Sequence, residues 1–126
     1  MALIDSDPYS RRVIGCAIEV HRNLGPGLIE SVYESCLCHE LTRAGMAFVR
    51  QQKLPIVYKE HHLDCNLTMD VVVEQTLVLE IKSVNVLHPV HEAQLLSYLK
   101  LSGLRMGLLL NFNEVRLIDG VRRQLL

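Results

Sequence analysis

The chain has 126 residues, 49% of them hydrophobic and 21% charged, with a net charge of −1. That length suits one domain, residues 1–126, with one sizeable core, and a near-neutral charge excludes nucleic-acid binding by bulk electrostatics alone. No run of roughly 18 uncharged apolar residues is present, which excludes a membrane-spanning helix.

The opening stretch MALIDSDPYSRR carries acids near its start and no long apolar run after a basic region, so a secretory signal is not expected and the cytoplasm is the expected compartment. Residues 8–22 place Val13, Ile14, Ala17, Ile18 and Val20 at helical spacing, and NLGPG (23–27) then breaks the chain. A second helix is predicted from Leu28 to Ala44, with Val32, Cys36, Leu37 and Leu41 as its apolar stripe and Gly45 at its end. In this helix CLCH (Cys36, Cys38, His39) resembles a metal site only faintly, because i and i+2 diverge on a helix and no second cysteine pair follows. Core or boundary packing is the expected role.

From Phe48 the period changes to two. FVRQQKLPIVYK reads as a strand in which Pro55 signals an edge or a bulge. EHH is a plausible turn, LDCNLTMDVVV the return strand, EQ a tight connection, and TLVLEIKSV the third strand of a meander. HPVHEAQLLSYLKLSG then reads as a helix, with Pro89 in its first turn and Gly103 at its end. RMGLLLNF is an apolar strand suited to burial on both faces, and EVRLID is a candidate for a short last strand. The order α-α-β-β-β-α-β, with this optional final β, implies an α/β fold with a mixed sheet flanked by helices.

Several polar residues interrupt this pattern. Leu77, Leu79 and Ile81 share one face of the third strand, whereas Val78, Glu80 and Lys82 share the other. Buried charges of this kind need partners or a metal. If EQ is a tight turn, Asp70 on the preceding strand falls beside Glu80 or Ile81. Two adjacent carboxylates each resist ionising, and a divalent cation with oxygen ligands, Mg²⁺ or Mn²⁺, removes the conflict. His91, Gln94 and Tyr98 lie roughly on one helical face, as do Glu30, Tyr33 and Glu34.

Asp70 followed by EIK (Glu80–Lys82) resembles the PD-(D/E)XK nuclease signature, with Met69 where the motif name has proline. QLLSY (Gln94–Tyr98) resembles the QxxxY motif of the RecB and lambda-exonuclease-like branch. GLIESVY (Gly27–Tyr33), with VHRNLGPG before it and GLLLNF far downstream, resembles the GxxExxY proteins, compact bacterial members of that superfamily. The resemblance spans about Ile14 to Phe112. It implies a restriction-endonuclease-like core and a metal-dependent nuclease that hydrolyses phosphodiester bonds of DNA, in preference to RNA, through a metal-activated water. It assigns Glu30, Asp70, Glu80, Lys82, Gln94 and Tyr98 to the catalytic set. Asp70, Glu80, the Ile81 carbonyl and, through a water, Glu30 would hold Mg²⁺ or Mn²⁺, while Lys82 would orient the attacking water. His21, Tyr33 and His91 are expected on the substrate side. A homodimer, a partner protein, or a preference for ends or single strands would compensate for the small, slightly acidic scaffold. The alternative is a non-catalytic nucleic-acid- or protein-interaction module on the same fold.

Overall fold

The computed structural model describes residues 7–126. Helix α1 (Ser10–Leu24) ends at a glycine turn, and helix α2 (Glu30–Arg43) follows. Strands β1 (Phe48–Tyr58), β2 (His61–Val73) and β3 (Leu77–Lys82) form the meander, helix α3 (Pro89–Ser102) crosses over, and β4 (Met106–Asn111) returns to the sheet. A 3₁₀ turn (Leu117–Gly120) leads into β5 (Val121–Leu125). The five strands stand in the spatial order of the sequence; β3 and β4 are parallel and all other neighbours antiparallel. This is an α/β fold whose mixed sheet is flanked by helices, consistent with a PD-(D/E)XK core.

Two apolar clusters cover the two faces of the sheet. Val13, Ala17, Leu37 and Leu41 of α1 and α2 pack on Val71, Val73, Leu77, Leu79 and Ile81. On the opposite face, Leu95 and Leu99 of α3 pack on Leu54, Met69, Val72 and Val78. Gly107 of β4 lets α3 come close, because a Cβ there would lie 2.9 Å from Leu95 Cδ1.

Local expectations needed correction in a few places. Ile18 and Val32 are 44% and 37% exposed, and the places expected of them on the buried faces go to Ser10 and His21 of α1 and to Tyr33 and Glu34 of α2. His21, Tyr33 and Glu34 lie on either side of the glycine turn, whereas Ser10 at the start of α1 bonds to Asp7. The β1–β2 turn is Lys59–Glu60, both with positive φ, and His61 and His62 already belong to β2. Pro55 sits on an edge strand and also starts a register shift. EVRLID is not a strand: its second half enters the 3₁₀ turn, and the last strand starts only at Val121. Cys38 is buried in the α1–α2 cluster and Cys36 packs against it.

Candidate active site

The alternation of β1 and β2 inverts at one point. Val71 packs toward α1 and α2, but Met69, two residues away, packs toward α3. On β1, Phe48 packs on the first cluster and Leu54 on the second, although both are even-numbered. Between them the register pairs Arg50 with Val71 and Gln52 with Met69, skipping Gln51 opposite Asp70. Gln51 has φ +51°, a left-handed backbone unusual for a residue other than glycine. The β2–β3 ladder also stops here, at Val71 opposite Leu79.

This opening exposes backbone groups, and side chains take them up. The Ile81 N–H donates to Asp70 Oδ2 at 2.9 Å. The Asp70 N–H points at Glu80 Oε1, 3.4 Å away. The Lys82 carbonyl accepts from Phe112 on the β4 side, so by strand alternation both backbone groups of Ile81 face β2.

Glu80 is only 4% exposed. Burial, then the neighbouring Asp70, pushes its carboxyl up to about 8. Burial also raises the Asp70 carboxyl, and Glu34 and Glu30 raise it further against the lowering effects of the Ile81 N–H and Lys82. Beside them, Lys82 Nζ donates to Gln94 Oε1 at 3.4 Å, and Gln94 Nε2 donates to the Tyr98 hydroxyl at 3.1 Å. Burial and the two carboxylates raise the Tyr98 phenol. Glu30, the first residue of α2, reaches across to accept the Ser83 N–H at 3.2 Å.

The donor set suits a hard divalent cation. Two carboxylates held above their usual range, Asp70 by burial and Glu80 by burial and then by Asp70, favour a positive charge between them. No group of three His, Cys, Asp or Glu side chains forms a cage among the described residues. Mg²⁺ commonly binds through one or two carboxylates and completes its shell with water and phosphate oxygens.

The family model of the PD-(D/E)XK nuclease superfamily matches residues 7–124. The chain belongs to this superfamily. No curated protein and no solved structure matches it.

Membership in the PD-(D/E)XK superfamily gives the acid and lysine strand a nuclease-like setting. The three residues expected on the substrate side each make contacts within the fold. Tyr33 is fully buried, its ring stacked on Phe112 at 4.5 Å, and its hydroxyl donates to Gly25 O and accepts the Leu28 N–H. It shapes the glycine turn and is not available for substrate contact. His21 is buried, with Nε2 2.7 Å from Glu114 O. His91 Nδ1 accepts the His88 N–H at 3.1 Å and caps α3.

Three residues of this PD-(D/E)XK chain lay outside the expected set. Glu34, 7% exposed, is held by Arg50 Nε at 3.0 Å and Gln51 Nε2 at 2.9 Å. It thereby ties α2 to the left-handed residue opposite Asp70. Asn111 is fully buried and pairs with both the N–H and the carbonyl of Val84, each at 3.0 Å. Glu34 was visible as a third polar residue on the Glu30 face, and Asn111 as an amide closing an apolar run. The backbone of Gln51 left no signal in the sequence.

Proposed function

We propose that the chain is a divalent-metal-dependent nuclease of the GxxExxY type, acting on DNA in preference to RNA. The observation that carries this reading is the Asp70–Glu80 pair beside Lys82 at the point where the β2–β3 ladder opens. Asp70, Glu80 and the Ile81 carbonyl would hold Mg²⁺ or Mn²⁺, with Glu30 joining through water. The cation, when bound, supplies a Lewis acid that acidifies water and offsets charge on the phosphoryl group. Lys82 holds a compact positive charge at the same edge and stabilises the anionic transition state. Gln94 and Tyr98 fix the ammonium position, since Gln94 accepts from Lys82 and donates to Tyr98.

The test is a comparison of two variants. Lys82→Ala should lose Mn²⁺-dependent cleavage of single-stranded and duplex DNA while still binding Mn²⁺ in calorimetry. Asp70→Ala should lose both. Metal binding without cleavage by the wild type on any strand, duplex or branched substrate would favour the interaction-module reading. No metal binding and no cleavage would remove the nuclease reading.

A further inference from the structure

A cavity of about 740 Å³ opens beside Glu30. It lies where the parallel strands β3 and β4 end and their chains diverge, toward α3 and toward the 3₁₀ turn. In α/β sheets the crevice outside the carboxyl ends of such strands is the usual place for a ligand, and the volume falls in the range of small-molecule sites. Ser83 sits between its walls: its hydroxyl donates to Leu28 O at 2.6 Å, and its N–H goes to Glu30. Lys82 is the adjacent residue, and Glu30, which lines the cavity, accepts the N–H of the residue that follows it. An occupant therefore lies next to the acids.

The walls are built before any ligand arrives. Asn111 clamps Val84 through two hydrogen bonds, and its Oδ1 also accepts the Asn113 N–H at 3.3 Å. Asn113 Nδ2 donates to Asn85 Oδ1 at 3.1 Å. Among the described residues, Asn85 Nδ2 and Asn113 Oδ1 have no hydrogen-bond partner, so one donor and one acceptor remain at the same wall. On the facing wall Ile29 is 68% exposed and Leu28 39% exposed.

The chemistry of this lining selects among the parts of a nucleic acid. Glu30 is its one charge among the described residues, and neither lysine nor arginine lines it. The Glu30 carboxylate repels a phosphate there, and no cationic side chain offsets it beyond the α2 N-terminus. A flat heterocycle with donors and acceptors on its edge finds the aliphatic surface of Leu28 and Ile29 on one side and amides on the other, which hold its face by dispersion and its edge by hydrogen bonds. Base pairing would hide that edge. The net charge of −1 also gives a duplex no bulk electrostatic attraction.

We infer that this cavity takes one unpaired nucleoside of the substrate, adjacent to the phosphate at the acids, so that the preferred substrate is a single strand or a frayed end. This deepens the nuclease reading and rests on it for the position of the phosphate.

The test uses full-length Lys82→Ala protein with Mn²⁺ and a short fluorescein-labelled oligothymidylate, read by anisotropy. A set of strands carries a single abasic position moved along the sequence, and a blunt duplex of equal length serves as the comparison. The single strand should bind about tenfold tighter than the duplex, and one abasic position should cost about fivefold, the worth of roughly one hydrogen bond with its aliphatic contact. Adding Asn85→Ala and Asn113→Ala should abolish that abasic penalty and leave duplex binding unchanged. Ile29→Ser, which removes the apolar wall at the exposed N-cap of α2 with a residue favoured there and adds no charge, should do the same. An abasic penalty that persists in these variants, or a duplex bound as tightly as the strand, overturns the proposal. Hydrolysis of bis(p-nitrophenyl) phosphate, which has no base, keeps the two readings apart. The asparagine variants with Lys82 intact should hydrolyse it as the wild type does. A wild type that hydrolyses neither this ester nor DNA, yet shows the abasic effect, removes the nuclease reading and upholds the pocket.

Discussion

The Ile81 amide donates to the Asp70 carboxylate at 2.9 Å, in the place where a continued ladder would have used a backbone carbonyl of β2. One carboxylate thus closes a gap in the sheet and faces Glu80. Asparagine can keep the hydrogen bond without the charge, and alanine can do neither. Asp70→Asn should match or exceed the wild type in stability without metal, since it also relieves Glu80. Asp70→Ala should lose about 1–3 kcal/mol, the cost of an unpaired buried amide. Both should weaken Mn²⁺ binding at least about tenfold, consistent with loss of one of two anionic ligands. Urea unfolding in chelator and calorimetry with Mn²⁺ check the pair, and an equal stability loss in both variants would contradict the bonding role.

Glu80 gives a pH signature. Its folded-state pKa, about 8, lies above the ordinary 4.5. The folded protein therefore holds this proton more tightly than the unfolded chain. The stability it contributes is present below about pH 4.5 and is lost as pH rises through about 8, by an amount on the order of 5 kcal/mol. Metal-free protein should melt at progressively lower temperature from pH 5 to pH 8, and Glu80→Gln should flatten the slope. Mn²⁺ affinity should rise over the same interval as the proton it displaces becomes easier to remove. A melting temperature that climbs in chelator up to pH 8 would refute this account.

Gln51 offers a separate test of the opening in the sheet. Its φ of +51° costs a residue with a side chain roughly 1–2 kcal/mol, and its amide returns part of that through Glu34. Glycine accepts the backbone freely but loses the amide, so Gln51→Gly should change stability by less than about 1 kcal/mol. Valine resists this conformation more strongly. Gln51→Val should lose about 2 kcal/mol or more and weaken Mn²⁺ binding, because an extended residue there restores the ladder opposite Asp70. Unfolding curves and metal titration of the two variants side by side decide it. Indistinguishable behaviour of glycine and valine would show that the backbone at Gln51 does not govern the site.

The parts of this arrangement legible in the sequence are those set by short-range periodicity. Glu80 and Lys82 stood out because a strand alternates faces and their face should have been apolar. The short connection brought Asp70 beside them, but it is three residues long, not the expected two: Glu74, Gln75 and Thr76 turn the chain, and Val73 pairs with Leu77. Gln94 and Tyr98 followed from helical spacing. Inversion of the strand faces between Met69 and Val71 was not legible, since it depends on a left-handed glutamine held by Glu34 from another element. EVRLID misled for a related reason: its alternation mimics a strand, but Gly120 packs so closely on Asn111 that a Cβ would lie 2.4 Å from the Asn111 carbonyl oxygen. Tertiary packing, not local pattern, turns that segment.

Tyr33 shows how a residue of a site motif can act at a distance from the chemistry. Its hydroxyl joins Gly25 O to the Leu28 N–H, Leu28 O receives the Ser83 hydroxyl, and Ser83 follows Lys82. Removing the hydroxyl leaves the ring stacked on Phe112 but frees the glycine turn. Tyr33→Phe should cost about 1–2 kcal/mol and lower cleavage a few-fold through loss of turn rigidity, with Mn²⁺ affinity unchanged. Tyr33→Leu loses the stack as well and should cost about 3 kcal/mol or more. If Tyr33→Phe instead abolished cleavage with stability intact, the hydroxyl would have to act on substrate, which its full burial in this fold opposes.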